Sequence, residues 1–406
     1  MTAAESDVIV VGAGILGVSV AHHLQERGAG RVVVLDARAS SSGTSGAGAG
    51  FVGLWAAGYA DFFTETDLEL EQYGIDFYRR MSDEGADINL RTNGNLYAAT
   101  EDDAAAKWVK PMATHPLAPV GTRELTGADV EGITCGVLSA EAVVGAVLHP
   151  AGIQISAGRA TRSLADRVRS AGGEIRTETE VVGLLVSGGR VVGVRTIAGD
   201  LRARSVVLAC GAWTNEVLAD VDVSLPMLHM VASRVISPPS GVSPTMPTVM
   251  VPNLNGLWLR EHRGGLTWGN GDGYAPLFEI GGELPAGQPR RDELVERLVS
   301  TLGPDLRALI PTHDTSVGWW LQGVPCMTPD RHFYAGPVPS APGLFVAGGD
   351  NEAGVTHGPG LGRMLAEMVT DGACSWVEAT EYRTDRYDGQ HFPTQESVLL
   401  AMPRRR

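Results

Sequence analysis

Cysteine is scarce and scattered in this chain. The four residues, Cys135, Cys210, Cys326 and Cys374, have neither metal-binding spacing nor a disulfide framework, so reduced thiols are expected. Long apolar runs are missing: none reaches the roughly 18 residues of a membrane span. Positive charge is short, with 32 Lys and Arg against 47 Asp and Glu, a net charge of −15. That balance argues against nucleic-acid and anionic-membrane partners. The basic tail Arg404–Arg406 is too short to reverse it. The first apolar run begins near Met1, so no secretory leader is expected and the cytoplasm is the expected location. The 406 residues, 44% hydrophobic and 19% charged, suit a globular chain with two structural units around one large core.

The most informative stretch runs from Val8 to Asp36. A short apolar run, Val8 to Val11, enters a turn with Gly12, Gly14 and Gly17. An amphipathic stretch follows, and a second apolar run, Val32 to Leu35, ends on Asp36. This is the strand, glycine turn, helix, strand, acid pattern of a dinucleotide-binding βαβ unit. Gly12 allows the tight turn, Gly14 leaves room for a pyrophosphate, and Gly17 lets the helix lie close on the strand. The helix start, with Ile15 and Leu16, offers N–H groups and partial positive charge to phosphate. Asp36, flanked by Ala37 and Arg38, can accept hydrogen bonds from ribose hydroxyls. A plain glycine-rich turn would not need the acid.

The tract Ser40 to Gly50 is almost all small residues. Its bare backbone can approach a flat ring, and Ser42, Thr44 and Ser45 offer hydroxyls to phosphate. Apolar spacing from Ala60 to Met81 predicts a helix. Residues 87 to 100 predict a strand pair around Asn93-Gly94, and Lys107 to Ala146 irregular structure with short helices. Ile155 to Ala171 reads as a helix. A hairpin at Ser187 to Arg190 follows, then a strand, Val206 to Cys210, ending in Gly211-Ala212-Trp213. Residues 224 to 322 read as antiparallel strands, with a helix from Arg291 to Leu302. Residues 343 to 372 read as a strand, a glycine-rich turn that includes Gly349, and a helix from about Pro359. His22-His23 and the acids Glu65, Asp67, Glu69 and Glu71 lack the spacing of a metal site and read as a packed histidine pair and a solvated helix face.

Four anchors occur in order: G-A-G-I-L-G with Asp36; S-S-G-T-S-G-A-G-A-G-F; E-T-E-V-V-G-L-L-V with V-V-L-A-C-G-A-W; and M-T-P-D before G-L-F-V-A-G-G-D. Together they resemble the D-amino-acid-oxidase-type family of FAD oxidoreductases, which includes sarcosine, glycine and dimethylglycine oxidases. The resemblance implies an α/β fold: a Rossmann-like FAD-binding domain (1–80, 150–222 and 325–380), an antiparallel-sheet substrate domain (81–149 and 223–324) and a C-terminal extension (381–406). It implies that Gly12, Gly14 and Gly17 hold the pyrophosphate and Asp36 the ribose. Thr44 and Ser45 would touch phosphate or ribityl oxygens, and Gly50 and Phe51 would run beside the flavin. Val181 would read the adenine through its backbone, and Gly211 and Trp213 would pass the ADP half. Gly354, Val355, Thr356, His357 and Gly358 would point N–H groups at the flavin's pyrimidine edge, where a helix start stabilises negative charge.

Three departures from the pattern matter. Ala47 stands where relatives with covalent FAD carry histidine, so dissociable FAD is expected. Pro325 stands where glycine oxidase carries a carboxylate-binding arginine. No lysine occurs between Pro111 and Arg406, so oxygen activation by lysine is not expected; oxygen or another acceptor takes the electrons. The family reaction oxidises a carbon–nitrogen bond by hydride transfer to flavin N5, and the imine then hydrolyses. The substrate expected is an amine or amino acid, secondary or N-methylated. Oxidation of a 2-hydroxy acid, or service as the flavin-carrying subunit beside partner chains, are the alternatives. Candidate substrate-side residues are His357, Arg260, Trp258 and Trp320, with Arg263, His262 and Trp268 behind them; Trp319-Trp320 can put at most one indole in a pocket.

Overall fold

The computed structural model describes residues 6–54 and 64–403. Residues 60–63 at the start of the expected first long helix, and the Arg404–Arg406 tail, lie outside them.

Apolar runs without alternation form a parallel sheet buried on both faces. Its order is Tyr334–Pro337, Leu344–Gly348, Gly199–Leu208, Ser6–Val11, Val32–Leu35, Glu174–Arg176. All pairs are parallel except the first, which is antiparallel. The strand Gly199–Leu208 is longer than the sequence suggested: its first half also closes a hairpin system with Arg190–Thr196 and Val181–Ser187. The helix Ile15–Glu26 covers one face, between the helices Ala157–Ser170 and Gly354–Asp371. Glycine permits these close crossings. A Cβ at Gly362 would lie 2.6 Å from the Ser19 carbonyl carbon, and one at Gly74 would overlap the Thr356 carbonyl oxygen.

The second sheet has ten strands, with Leu228–Ile236, Gly265–Gly269, Leu257–His262 and Thr248–Val251 side by side at its centre. It is not wholly antiparallel, because Thr248–Val251 runs parallel to Asn95–Ala99. The hairpin expected at Asn93-Gly94 does not form. Asn95–Ala99 pairs instead with Gly145–His149 on its other side, a long-range partner that outweighs the local turn signal. The helix Asp292–Leu309 packs below this sheet.

Two helices begin where local chemistry sets them. Glu65–Asp83 starts at Thr64, whose hydroxyl accepts the Asp67 N–H at 3.3 Å while the Asp67 carboxylate accepts the Thr64 N–H at 2.9 Å. The four acids there do not form one solvated face. Glu65 and Glu69 are exposed, but Asp67 and Glu71 point inward and are buried. The last long helix starts at Gly354, earlier than expected, with Pro359 inside it. A proline has no N–H for the carbonyl four residues back, here Val355. The Tyr78 hydroxyl donates to that carbonyl at 2.8 Å instead, which is how the helix carries its proline.

Candidate functional site

The turns that leave the parallel strands at their carboxyl ends converge, as ligand sites do in open α/β sheets. Gly12 follows the first strand with φ +106°, and a Cβ there would overlap the Ala209 carbonyl oxygen from the neighbouring strand. A Cβ at Gly17 would overlap the Gly12 carbonyl oxygen. Gly14 is different: the nearest atom to its Cβ position is Ser45 Oγ, at 3.2 Å. Ser45 Oγ accepts the Ile15 N–H at 3.0 Å, and Leu16 is buried one position on.

Asp36 ends the second parallel strand. Its two carboxylate oxygens accept the N–H groups of Ala13 at 2.7 Å and Arg38 at 2.8 Å, which fixes its rim against the glycine turn beside Ala37. Burial pushes its pKa up, against the pull of those two N–H groups and of Arg38. Thr179 donates to the Asp36 carbonyl at 2.8 Å, which brings the approach to Val181 beside this rim. Gly211, at φ +57°, opens the short turn to Trp213, whose ring lies 5.4 Å from the Arg38 guanidinium.

The small-residue tract folds back over this end. Ser42 donates its N–H to Ala39 at 3.1 Å. Ser40 Oγ, Ser41 Oγ and Arg38 Nε are buried with no hydrogen-bond partner among the described residues, although such groups are normally satisfied. Three orphaned polar atoms beside a glycine turn and a fixed carboxylate suit a phosphate-and-ribose ligand. Ser40 and Ser41 were not singled out from the sequence, because they read as part of a uniform small-residue run.

Further along, the tract turns toward the second sheet. Thr44 Oγ1 accepts the Val324 N–H at 3.0 Å. Gly50, at φ +79°, brings the chain against Ile155, where a Cβ would overlap a carbonyl oxygen. Phe51 then pairs with Gln154. Between the tract, the second sheet and the start of the helix Gly354–Asp371 lies a cavity of about 150 Å³. Its walls include Thr44, Gly50, Phe51, Trp258, Val355 and Thr356, together with Arg234, Tyr274, Pro325 and Glu352. Trp258 stands edge-on to Phe51, ring centres 5.5 Å apart, and Thr356 Oγ1 donates to the Phe51 carbonyl at 3.1 Å. Before the helix, Gly349, Asn351 and Glu352 all have positive φ. Asn351 locks this turn by accepting the Thr328 N–H at 2.9 Å and donating to the Gly349 carbonyl at 2.8 Å. Backbone held in that region at the mouth of a cavity is a signature of a positioned site.

Other residues singled out from the sequence lie elsewhere. His357 is buried and is not among the residues lining the cavity, unlike Val355 and Thr356; its ring lies 5.1 Å from Phe333. Burial lowers its pKa to about 4, so it is neutral at pH 7. Gly358 faces Ile15. Arg260 is 4% exposed, and its guanidinium is committed to protein: Nε donates to the Ala49 carbonyl at 2.6 Å and Nη1 to the Glu261 carbonyl at 2.9 Å. Trp320 is outside the cavity, stacked 4.3 Å under Arg290, and Trp319 is exposed. Trp268 is buried, donating to Ser237 Oγ at 3.1 Å. Arg263 sits exposed in a turn. His262 is half-buried and outside the cavity, and burial and nearby arginines push its pKa down to about 3.

Comparison with known proteins places this arrangement. The family model described as FAD dependent oxidoreductase matches residues 7–368. A 4-methylaminobutanoate oxidase (formaldehyde-forming) from Paenarthrobacter nicotinovorans is 30% identical over 90% of the chain, which spans 43% of that protein. A glycine oxidase from Pseudomonas aeruginosa is 29% identical over 89% of the chain and 94% of its own length. The crystal structure of glycine oxidase from Geobacillus kaustophilus superposes with a TM-score of 0.81, covering 95% of the chain and 100% of that structure at 24% identity, a likeness of fold.

Proposed function

The chain belongs to the FAD dependent oxidoreductase family, and from that premise we propose that it oxidises the carbon–nitrogen bond of an amine or amino acid, with a secondary or N-methylated amine as substrate. The observation that carries the reading is the cavity between the small-residue tract and the second sheet. The relatives named 4-methylaminobutanoate oxidase and glycine oxidase act on substrates of this class. We assign FAD to the glycine turn, Asp36, the 38–51 tract, Val181, Gly211 to Trp213 and the start of the helix at Gly354. The cofactor body is then 1–80, 150–222 and 325–380, and the substrate body 81–149 and 223–324.

Bound FAD supplies a two-electron acceptor; the chain supplies the rest. Asp36 and the orphaned hydroxyls of Ser40 and Ser41 hold the ADP half. The helix that starts at Gly354 has Val355 and Thr356 of its first turn on the cavity wall, and the partial positive charge of its N-terminus would favour negative charge there. Phe51, Met250 and Trp258 give the substrate an apolar bed that excludes water, so that an amine binds in its neutral form with its C–H oriented for oxidation. No buried general base is required, and with Ala47 at the tract's end the FAD is held without a covalent bond. The test is anaerobic mixing of the FAD-loaded chain with N-methyl amino acids, amino acids and 2-hydroxy acids while the oxidised-flavin absorbance is followed. Amines should bleach the band; bleaching by 2-hydroxy acids alone would overturn the reading.

A further inference from the structure

Three arginines lie close together, two of them, Arg234 and Arg260, bonded to the small-residue tract, and they differ in what they have left to give. Arg91 pairs with the Glu261 carboxylate. Arg260 spends its guanidinium on the Ala49 and Glu261 carbonyls and stays outside the cavity. Arg234 lines the cavity while only 7% exposed. Its Nε donates to Thr267 Oγ1 at 2.8 Å, and its Nη1 to the Gly48 carbonyl at 2.7 Å and the Ala47 carbonyl at 3.4 Å. Its Nη2 donates to no described residue, and no carboxylate of the described residues forms an ion pair with it.

A buried cation without an anion is costly, and the cost is relieved when one arrives. The surroundings do not supply one. Arg260 lies near enough to repel it, and burial with that repulsion lowers the Arg234 pKa to about 9, which leaves it charged at pH 7. Burial, with these arginines and Arg263 adding to it, keeps His262 neutral. Glu352, on the cavity wall supplied by the turn before the last long helix, is the acid among the lining residues. The cavity therefore has a positive wall on the second sheet, an apolar bed of Phe51, Met250 and Trp258, and an acid on the other side. With Nε and Nη1 already donating to protein, Nη2 is left to give a charge-assisted hydrogen bond to a carboxylate, from a planar group held in place by its other contacts.

We propose that Arg234 binds the carboxylate of the substrate, so that the site takes amino acids in preference to amines without an acid group. The proposal rests on the amine-oxidation reading only for the word amino; the carboxylate site stands on the geometry of Arg234 alone.

The probe is acetate, titrated into the FAD-loaded protein while the flavin absorbance is followed. The expected result is a saturable perturbation in the wild type, with the dissociation constant raised by at least about thirtyfold in Arg234→Met, partly restored in Arg234→Lys and changed less than about threefold in Arg260→Met. Sulfite affinity, which reports the charge around the flavin, should stay within threefold in Arg234→Met. Equal acetate affinity in Arg234→Met and wild type would overturn the proposal, and so would a loss of sulfite affinity in proportion to that of acetate, since Arg234 would then serve the cofactor. If Arg234→Met fails to hold FAD, the wild type decides: an N-methyl amino acid should be turned over with a kcat/KM at least about thirtyfold above that of its neutral primary amide, and equal values contradict the assignment. Reduction by 2-hydroxy acids alone, with acetate binding still dependent on Arg234, would remove the amine reading and leave this one in place.

Discussion

The two sides of the site are built by different means. On the parallel sheet the walls are mostly backbone: glycines without Cβ, a helix start, and a carboxylate that grips two N–H groups. On the ten-stranded sheet, side chains do it: Arg234, Trp258 and Tyr274 project into the cavity from three strands. A backbone site tolerates almost no added volume but is indifferent to which polar side chains surround it. A side-chain site is the reverse: its fold survives substitution while its ligand changes. One scaffold can thereby keep a cofactor and vary a substrate.

The largest expected effect tests the backbone side. Gly17→Val would drive a branched side chain into the Gly12 carbonyl and toward the Ala209 Cβ, 3.3 Å from the Gly17 Cβ position. Overpacking of this kind should cost at least about 3 kcal/mol, and the purified variant should be colourless. A yellow variant with wild-type melting temperature would mean that the turn is not crowded as described. Asp36→Ala should weaken FAD binding by roughly 30-fold, about 2 kcal/mol, because it frees the Ala13 and Arg38 N–H groups as well as removing a ribose acceptor. Equilibrium titration of apoprotein with FAD measures it, and an unchanged dissociation constant would place the ADP half elsewhere.

Acid should affect both sides alike. Burial lowers the pKa of His23, His149 and His357 to about 4 from an ordinary 6.5. A group with a depressed folded pKa that is neutral when deprotonated contributes its full stability above pH 6.5 and loses it as the pH falls toward 4. The unfolded chain takes up protons that the folded chain refuses. Each should remove roughly 2 kcal/mol by pH 5, and the melting temperature should fall steadily between pH 7 and pH 5. A flat profile would mean that these rings are not held neutral.

The smallest effect concerns the proline in the last long helix. Tyr78→Phe should cost about 1 kcal/mol by leaving the Val355 carbonyl without its donor. In a Pro359→Ala background the restored helical N–H should take over that carbonyl, so the same change should cost much less. Equal costs in both backgrounds would show that tyrosine and proline are not coupled.

Much of the parallel sheet was legible because its signals are local. Val8–Val11 and Val32–Leu35 are continuous apolar runs, and the glycines between them have fixed spacing. The capping box at Thr64 set the helix that the apolar spacing had already suggested. The second sheet was less legible. Asn93-Gly94 looks like a hairpin turn, yet its strand finds partners at Gly145–His149 and Thr248–Val251. Arg234 left one faint mark, a charge within the apolar run L-H-M-V-A-S-R-V-I with small residues before it. His357 and Arg260 stood out as chemistry-bearing types, but helix phase turned one toward Phe333 and the tract's carbonyls consumed the other. Phase and long-range register are what the sequence leaves unstated.

The most direct test of the central claim is the anaerobic absorbance of the FAD-loaded chain mixed in parallel with an N-methyl amino acid, the matching N-methyl amine without its carboxylate, and the matching 2-hydroxy acid. The account expects rapid loss of the oxidised-flavin band with the first, slow loss with the second and none with the third; rapid loss with the 2-hydroxy acid and none with either amine would contradict it.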